Sequence, residues 1–223
     1  MFELPSRSEL LRERDQEYAR WIQDLENRPI VIFGSDPAGL IAGRVLQRLG
    51  KDTLILEESE QIGGRLMWDI GPEPILSPAD ELLEELDYPI DRVPPVWVDR
   101  MDLLDFLLHG YLQNGGRLLN SVYTDRIPDV NQGGELEIVI GERSAVIEVE
   151  AGILSAPSID VEFNEPQDTL LDEMVRRTRF LDTGWVICGR QALTEAERDR
   201  EFPYINGELL SGRKAVECIL AGE

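Results

Sequence analysis

A short apolar run, Pro29 to Phe33, leads straight into Gly34-Ser35-Asp36-Pro37-Ala38-Gly39, and an apolar helical period through Leu40, Ile41, Ala42, Val45 and Leu46 follows at once. Strand, glycine-bounded turn and helix in that order leave few folds open. The first glycine permits a tight turn, and the last lets the helix pack close against the strand. The frame is GxGxxG, the turn of a dinucleotide-binding βαβ unit, with an aspartate at the middle glycine.

That middle position is where the backbone approaches a pyrophosphate. Two like charges about 4 Å apart at an effective dielectric of about 20 repel by roughly 4 kcal/mol, close to a thousandfold in affinity. Asp36 also has a plain structural use. Aspartate is among the best helix N-caps and Pro37 suits the first helical position, so the helix supplies its own anion. Both readings stand at this stage.

The next strand, Thr53–Leu56, ends at Glu57, about twenty residues beyond the fingerprint, where an acidic side chain takes the ribose hydroxyls of an adenosine half. Glu58 follows it. The stretch IGGRLMW, residues 62–68, adds the glycine pair Gly63 and Gly64, which can bring backbone close to a cofactor. Gly34, Ser35, Asp36, Ala38, Gly39, Glu57, Glu58, Gly63 and Gly64 thus form a candidate cofactor-binding set.

The remaining pattern fits an α/β fold. Ser8 precedes an amphipathic helix, 8–26, with Leu10, Leu11, Tyr18, Trp21, Ile22 and Leu25 on its apolar face. Helix 37–49 follows the fingerprint. Pro78–Leu86 reads as a short acidic helix, Val96–Val98 as a strand and Met101–Leu112 as an amphipathic helix. Arg117–Tyr123 is expected to return to the parallel sheet. Glu135–Ile140 and Ala145–Val149 alternate as a hairpin, a small β-meander inserted at about 125–150. Residues 156–168 read as a mobile loop, 168–178 as a helix, Trp185–Cys188 as the last core strand and Gly207–Leu220 as the closing helix. A single domain over 1–223 is expected.

The formal net charge is −22, from 22 basic and 44 acidic residues. Such a surface offers nothing attractive to nucleic acid or to an anionic membrane. Lys51 and Lys214 are the only lysines, a balance that suits a salt-rich interior, a GC-rich genome or chance acidity alike. No run of 18 apolar residues occurs and no apolar signal segment begins the chain, so a cytoplasmic protein is expected. Cys188 and Cys218 make neither a disulfide framework nor a CxxC pair, and both read as core residues.

With these motifs in place, the chain resembles the thiamine-thiazole synthase family, also described as ribulose bisphosphate synthetase-like in archaea. GSDPAG stands where that family has a GAGPSG-like turn, and IGGRLMW where it has an IGGGMW-like loop. Residues 77–91, SPADELLEELDYPID, are similar to its ADE-L-ELG stretch, and NGGRLLNSV, 114–122, to its AGAKIFNAV strand. REFPYINGELLSGRKA, from Arg200 to Ala215, matches RMGPIFGGMLLSGRKA without a gap.

The resemblance implies a glutathione-reductase-like Rossmann fold that holds NAD, from which the family makes an adenylated thiazole using glycine and a sulfur source; the cofactor expected of this chain is NAD or FAD, bound weakly or lost. By position, Glu57 and Glu58 would face the adenosine ribose, Gly64 the nicotinamide half and Val122 the adenine through its backbone. Arg190 would join the cofactor-facing set, and Arg200 would hold the glycine carboxylate. Partners implied are a dinucleotide or other small molecule, and a homo-oligomer or an active paralogue.

The same comparison exposes departures. The family's HVDP-like segment with its iron-binding aspartate is shortened away, and its ATGHD-like segment reads SAPSID, residues 155–160. Ile159 then stands for the metal histidine and Ser158 for a glycine, and isoleucine cannot ligate a metal. The sole histidine, His109, falls on the 101–112 helix as a surface or packing residue, and no metal site is expected. No Ser/His/Asp set, CxxC pair or HExxH helix offers another catalytic centre. Three readings stay open: a weak or former dinucleotide binder without full thiazole synthase activity, a pseudoenzyme serving as a structural or regulatory subunit, and an FAD-dependent oxidoreductase.

Overall fold

Apolar side chains that alternate along the central strands divide between two cores, one on each face of a sheet. Ile30, Ile32, Ile55, Ile153 and Val186 belong to the core beneath the helices. Val31, Phe33, Leu54, Leu56, Leu154, Trp185 and Ile187 belong to the opposite one. Both faces are covered, which is why these strands read as unbroken apolar runs. The computed structural model describes residues 7–23, 28–64, 72–90, 96–132, 134–155, 175, 177–192 and 205–222.

Within them the elements run α1 (Arg7–Gln23), β1 (Ile30–Phe33), α2 (Pro37–Arg48), β2 (Thr53–Glu57), β3 (Pro72–Ile75), α3 (Ala79–Glu85), β4 (Val96–Asp99), α4 (Arg100–Gln113) and β5 (Arg117–Asn120). They continue with β6 (Val122–Tyr123), β7 (Glu135–Ile140), β8 (Arg143–Glu148), β9 (Ala151–Leu154), β10 (Arg179–Phe180), β11 (Trp185–Ile187) and α5 (Ile205–Ala221). The main sheet has the order β10-β11-β9-β1-β2-β5. Its members pair in parallel except β10, which is antiparallel to β11. β3 and β4 form a separate pair, and β6, β7 and β8 an antiparallel meander. The α/β Rossmann-type fold with a small meander layer is therefore as expected.

β2 lies on one side of β1 and β9 on the other. The strand order thus runs to opposite sides of β1, and ligands of such sheets bind outside the carboxyl ends of the strands at that switch point. α2 begins there. α2, α3, α4 and α5 supply the core on that face, while α1, through Tyr18 and Ile22, joins the meander on the other.

Three sequence expectations need correction. Arg117–Tyr123 is not one strand: Ser121 takes φ 53°, a left-handed conformation that ends β5 and turns β6 into the meander. The second hairpin arm begins at Arg143 rather than Ala145, because the turn is only Gly141 and Glu142. β9 was not expected at all, although it occupies the centre of the sheet. Its four residues, Ala-Gly-Ile-Leu, carry little strand signal, and pairing with both β1 and β11 defines it. The expected mobile loop at 156–168, and all but Val175, Arg177 and Thr178 of the expected helix at 168–178, lie outside the described residues.

No helix among the described residues is long and apolar enough to cross a membrane.

Candidate functional site

Gly34 leaves β1 with φ 104°, a backbone conformation that a side chain would strain. Asp36 then caps α2. Its Oδ1 accepts from the Gly39 N–H at 2.9 Å, and Pro37 fills the first helical turn. The N-cap reading of Asp36 holds, and the carboxylate sits at the positive end of the helix. Its side of the site is tightly built. A Cβ on Gly39 would lie 2.1 Å from the Gly34 carbonyl oxygen and 2.7 Å from Ser155 Oγ, so this glycine is obligatory for the turn.

Glu57 closes the other side. Its Oε2 accepts from the Ser35 N–H at 2.9 Å and from Ser35 Oγ at 2.7 Å, and its Oε1 accepts from the Ser59 N–H at 2.9 Å. The Gly63 N–H donates to Ser35 Oγ at 3.0 Å. One hydroxyl thus joins the fingerprint, the end of β2 and the glycine-pair loop. Gly63 and Gly64 both have positive φ, 101° and 54°, and a Cβ on Gly64 would come 3.2 Å from Asp36 Cβ. Glu58 is exposed just beyond.

Val122 is buried in the meander core. The Ser121 N–H before it donates to the Ser59 carbonyl at 3.1 Å, and Asn120 Nδ2 donates to the Glu60 carbonyl at 2.8 Å. These bonds bring Val122 to the loop that follows Glu57. Arg190 follows Gly189, whose absent side chain leaves room for Ala38 and Asp36; a Cβ there would meet Ala38 Cβ at 2.8 Å. The fingerprint, Glu57, Gly63, Gly64 and the backbone at 189 are therefore gathered at one end of the sheet. Arg200, Ser158 and Ile159 lie outside the described residues.

Sequence reasoning missed two groups that hold this arrangement. Ser155, fully buried at the end of β9, donates to the Phe33 carbonyl at 2.9 Å and lies 3.3 Å from that of Gly34. Ser211 of α5 accepts from the Gly189 N–H at 2.8 Å and pairs with Thr178 Oγ1 at 2.6 Å. Serines at strand ends and on helices carry no distinctive signal, and only the pairing of β9 with β1 shows why Ser155 matters.

Cys188 is fully buried beside this end of the sheet. Burial pushes its thiol well above the ordinary range, and the charges of Asp36 and Glu208 push it further. Such a thiol packs as a small hydrophobe and is no nucleophile. Cys218 is half-buried and also raised by burial. His109 is exposed, with Nε2 2.6 Å from Gln113 Nε2. It lines a cleft of about 850 Å³ over the far half of α2, together with Arg44 and Arg48. Those arginines are engaged by α3: Arg44 Nη2 donates to the Leu86 carbonyl at 3.2 Å, and Arg48 to the Glu85 carbonyl. They neutralise the negative end of that helix.

Residues 37–72 match the family model described as flavin containing amine oxidoreductase. A thiamine thiazole synthase of Aeropyrum pernix is 35% identical over 69 residues, 30% of this chain and 26% of that protein. That match therefore spans about a quarter of the relative's length. Another, from Pyrobaculum islandicum, is 24% identical over 229 residues, covering 85% of this chain and 86% of the relative. The crystal structure of Thermovibrio ammonificans THI4 superposes with a TM-score of 0.73 at 17% identity, covering 99% of each chain. That last likeness is one of fold.

Proposed function

We propose that this chain, a divergent member of the thiamine thiazole synthase family, binds an adenine dinucleotide, NAD or FAD, through the adenosine half and holds its pyrophosphate poorly. The observation that carries this reading is the bonded set Glu57, Ser35 and Gly63. A carboxylate offers about four acceptor positions, and three protein donors use Glu57, which leaves capacity for a ribose hydroxyl. Gly39 packs on Gly34 and Gly64 on Asp36, which holds the fingerprint turn and the glycine-pair loop together beside Glu57.

Asp36 fits less well. The end of α2 that would receive phosphate already carries a carboxylate, so a dinucleotide must approach like charge. Affinity is expected near 10⁻⁴–10⁻³ M, roughly a hundredfold to a thousandfold weaker than micromolar binding. Bound NAD or FAD would supply hydride chemistry; the chain's own part is to orient the adenosine. Full thiazole synthesis is not assigned, since Ile159 offers no imidazole where the family places its metal ligand.

Calorimetric titration with NAD and with FAD, beside the absorbance spectrum of the purified protein, tests the reading. Millimolar-range binding of one dinucleotide is expected, with no flavin band retained through purification. Glu57→Ala should weaken that binding at least tenfold. Absence of heat from both ligands at 10 mM would leave the pseudoenzyme reading in its place.

A further inference from the structure

Arg117 opens β5 at the edge of the main sheet, where β5 pairs only with β2 among the described residues. Its Nη1 is buried and, among the described residues, has no hydrogen-bond partner, and the side chain makes no ion pair with any of them. In a chain with 44 carboxylates, leaving a shielded guanidinium nitrogen unmatched is costly unless something else meets it.

The surroundings say what that could be. Arg117 lines a cleft of about 320 Å³ between α1, α4 and the edge of β5, walled by Tyr18, Trp21, Ile62, Leu108, Leu112 and Leu118. It is the only charged side chain among the described residues lining it. Neighbouring polar groups are already engaged: Tyr18 donates to Asn120 Oδ1 at 2.7 Å, and Arg14 pairs with Asp15 at 2.8 Å. Trp21 and Leu112 are 37% and 46% exposed at the mouth. Apolar walls with one or two convergent polar groups are the usual make-up of a small-molecule site, and about 300 Å³ is the lower end of the range.

We infer that this cleft binds a small apolar carboxylate, aromatic or branched aliphatic, with its body against Trp21, Leu108 and Leu112 and its carboxylate on Arg117. A guanidinium pairs with a carboxylate through parallel N–H bonds, which supplies orientation as well as charge. Phosphate suits the site badly, because one cation among apolar walls cannot replace the hydration of a multiply charged anion.

The test is a titration with phenylacetate and with its neutral isostere phenylacetamide, followed through the indole N–H resonance of Trp21, identified by its loss in Trp21→Phe. Phenylacetate should move that resonance and bind at least tenfold more tightly than the amide. In Arg117→Gln the preference should fall to within twofold while the thermal midpoint does not drop, since the arginine makes no side-chain bond to lose. Equal affinity for the two probes on the unmodified chain overturns the inference, as does an unmoved Trp21 resonance at 20 mM phenylacetate. A preference that survives in Arg117→Gln overturns it too.

Discussion

Replacing Asp36 by asparagine is expected to tighten dinucleotide binding by about a hundredfold to a thousandfold, with little change in stability. The substitution isolates charge from geometry. Asparagine caps a helix about as well as aspartate, so the bond from the Gly39 N–H survives, and the lost charge at the helix end costs only about 0.3–1 kcal/mol. What disappears is repulsion of the incoming phosphates, roughly 4 kcal/mol at 4 Å and an effective dielectric of about 20. Asp36→Ala separates the effects: it removes the same charge but also the cap, and should cost about 1 kcal/mol of stability. Calorimetry with NAD and FAD, beside thermal melts, reads both quantities. If Asp36→Asn binds no better than the unmodified chain, the carboxylate is a cap and nothing more, and weakness of binding must arise elsewhere.

Gly152→Ala should destabilise the protein by about 3–5 kcal/mol, the range seen when a large aromatic loses its packing. Gly152 stands in β9 directly opposite Trp185 of β11, and the indole lies across it. A Cβ there would fall 1.9 Å from Trp185 Cε3. Trp185 cannot yield cheaply. It is fully buried, its ring centroid is 5.5 Å from that of Phe33, and its Nε1–H donates to the Pro128 carbonyl at 2.7 Å. With folded domains holding only about 5–15 kcal/mol in total, one methyl group would consume a large share. Urea denaturation measures the loss. The double variant Gly152→Ala, Trp185→Leu should recover part of it, because neighbours in contact couple. A single-variant cost below 1 kcal/mol would mean the indole has somewhere else to go.

Some parts of the site are legible in the sequence itself. Gly34, Gly39 and Glu57 announce themselves because a tight turn, a close helix and a strand end each restrict which residues can serve. The Glu57 side chain, however, bonds inward to Ser35 and Ser59. No spacing rule predicts that, since it depends on how the loop after β2 folds back. Ser155, Gly189 and Ser211 were invisible for the same reason, as each acts on a residue far away in sequence.

Local chemistry therefore determined what is short-range: the period-2 strands and period-3.6 helices, the turn at 34–39 and its self-supplied cap, and the acidic surface. Tertiary structure alone decided that Ala151–Leu154 enters the centre of the sheet, that Ser121 diverts the chain into the meander, and that Gly152 is paired with Trp185. Backbone dihedral limits and side-chain periodicity operate within a few residues, whereas strand pairing and close packing are settled by partners scores of positions away, whose identity no local pattern encodes.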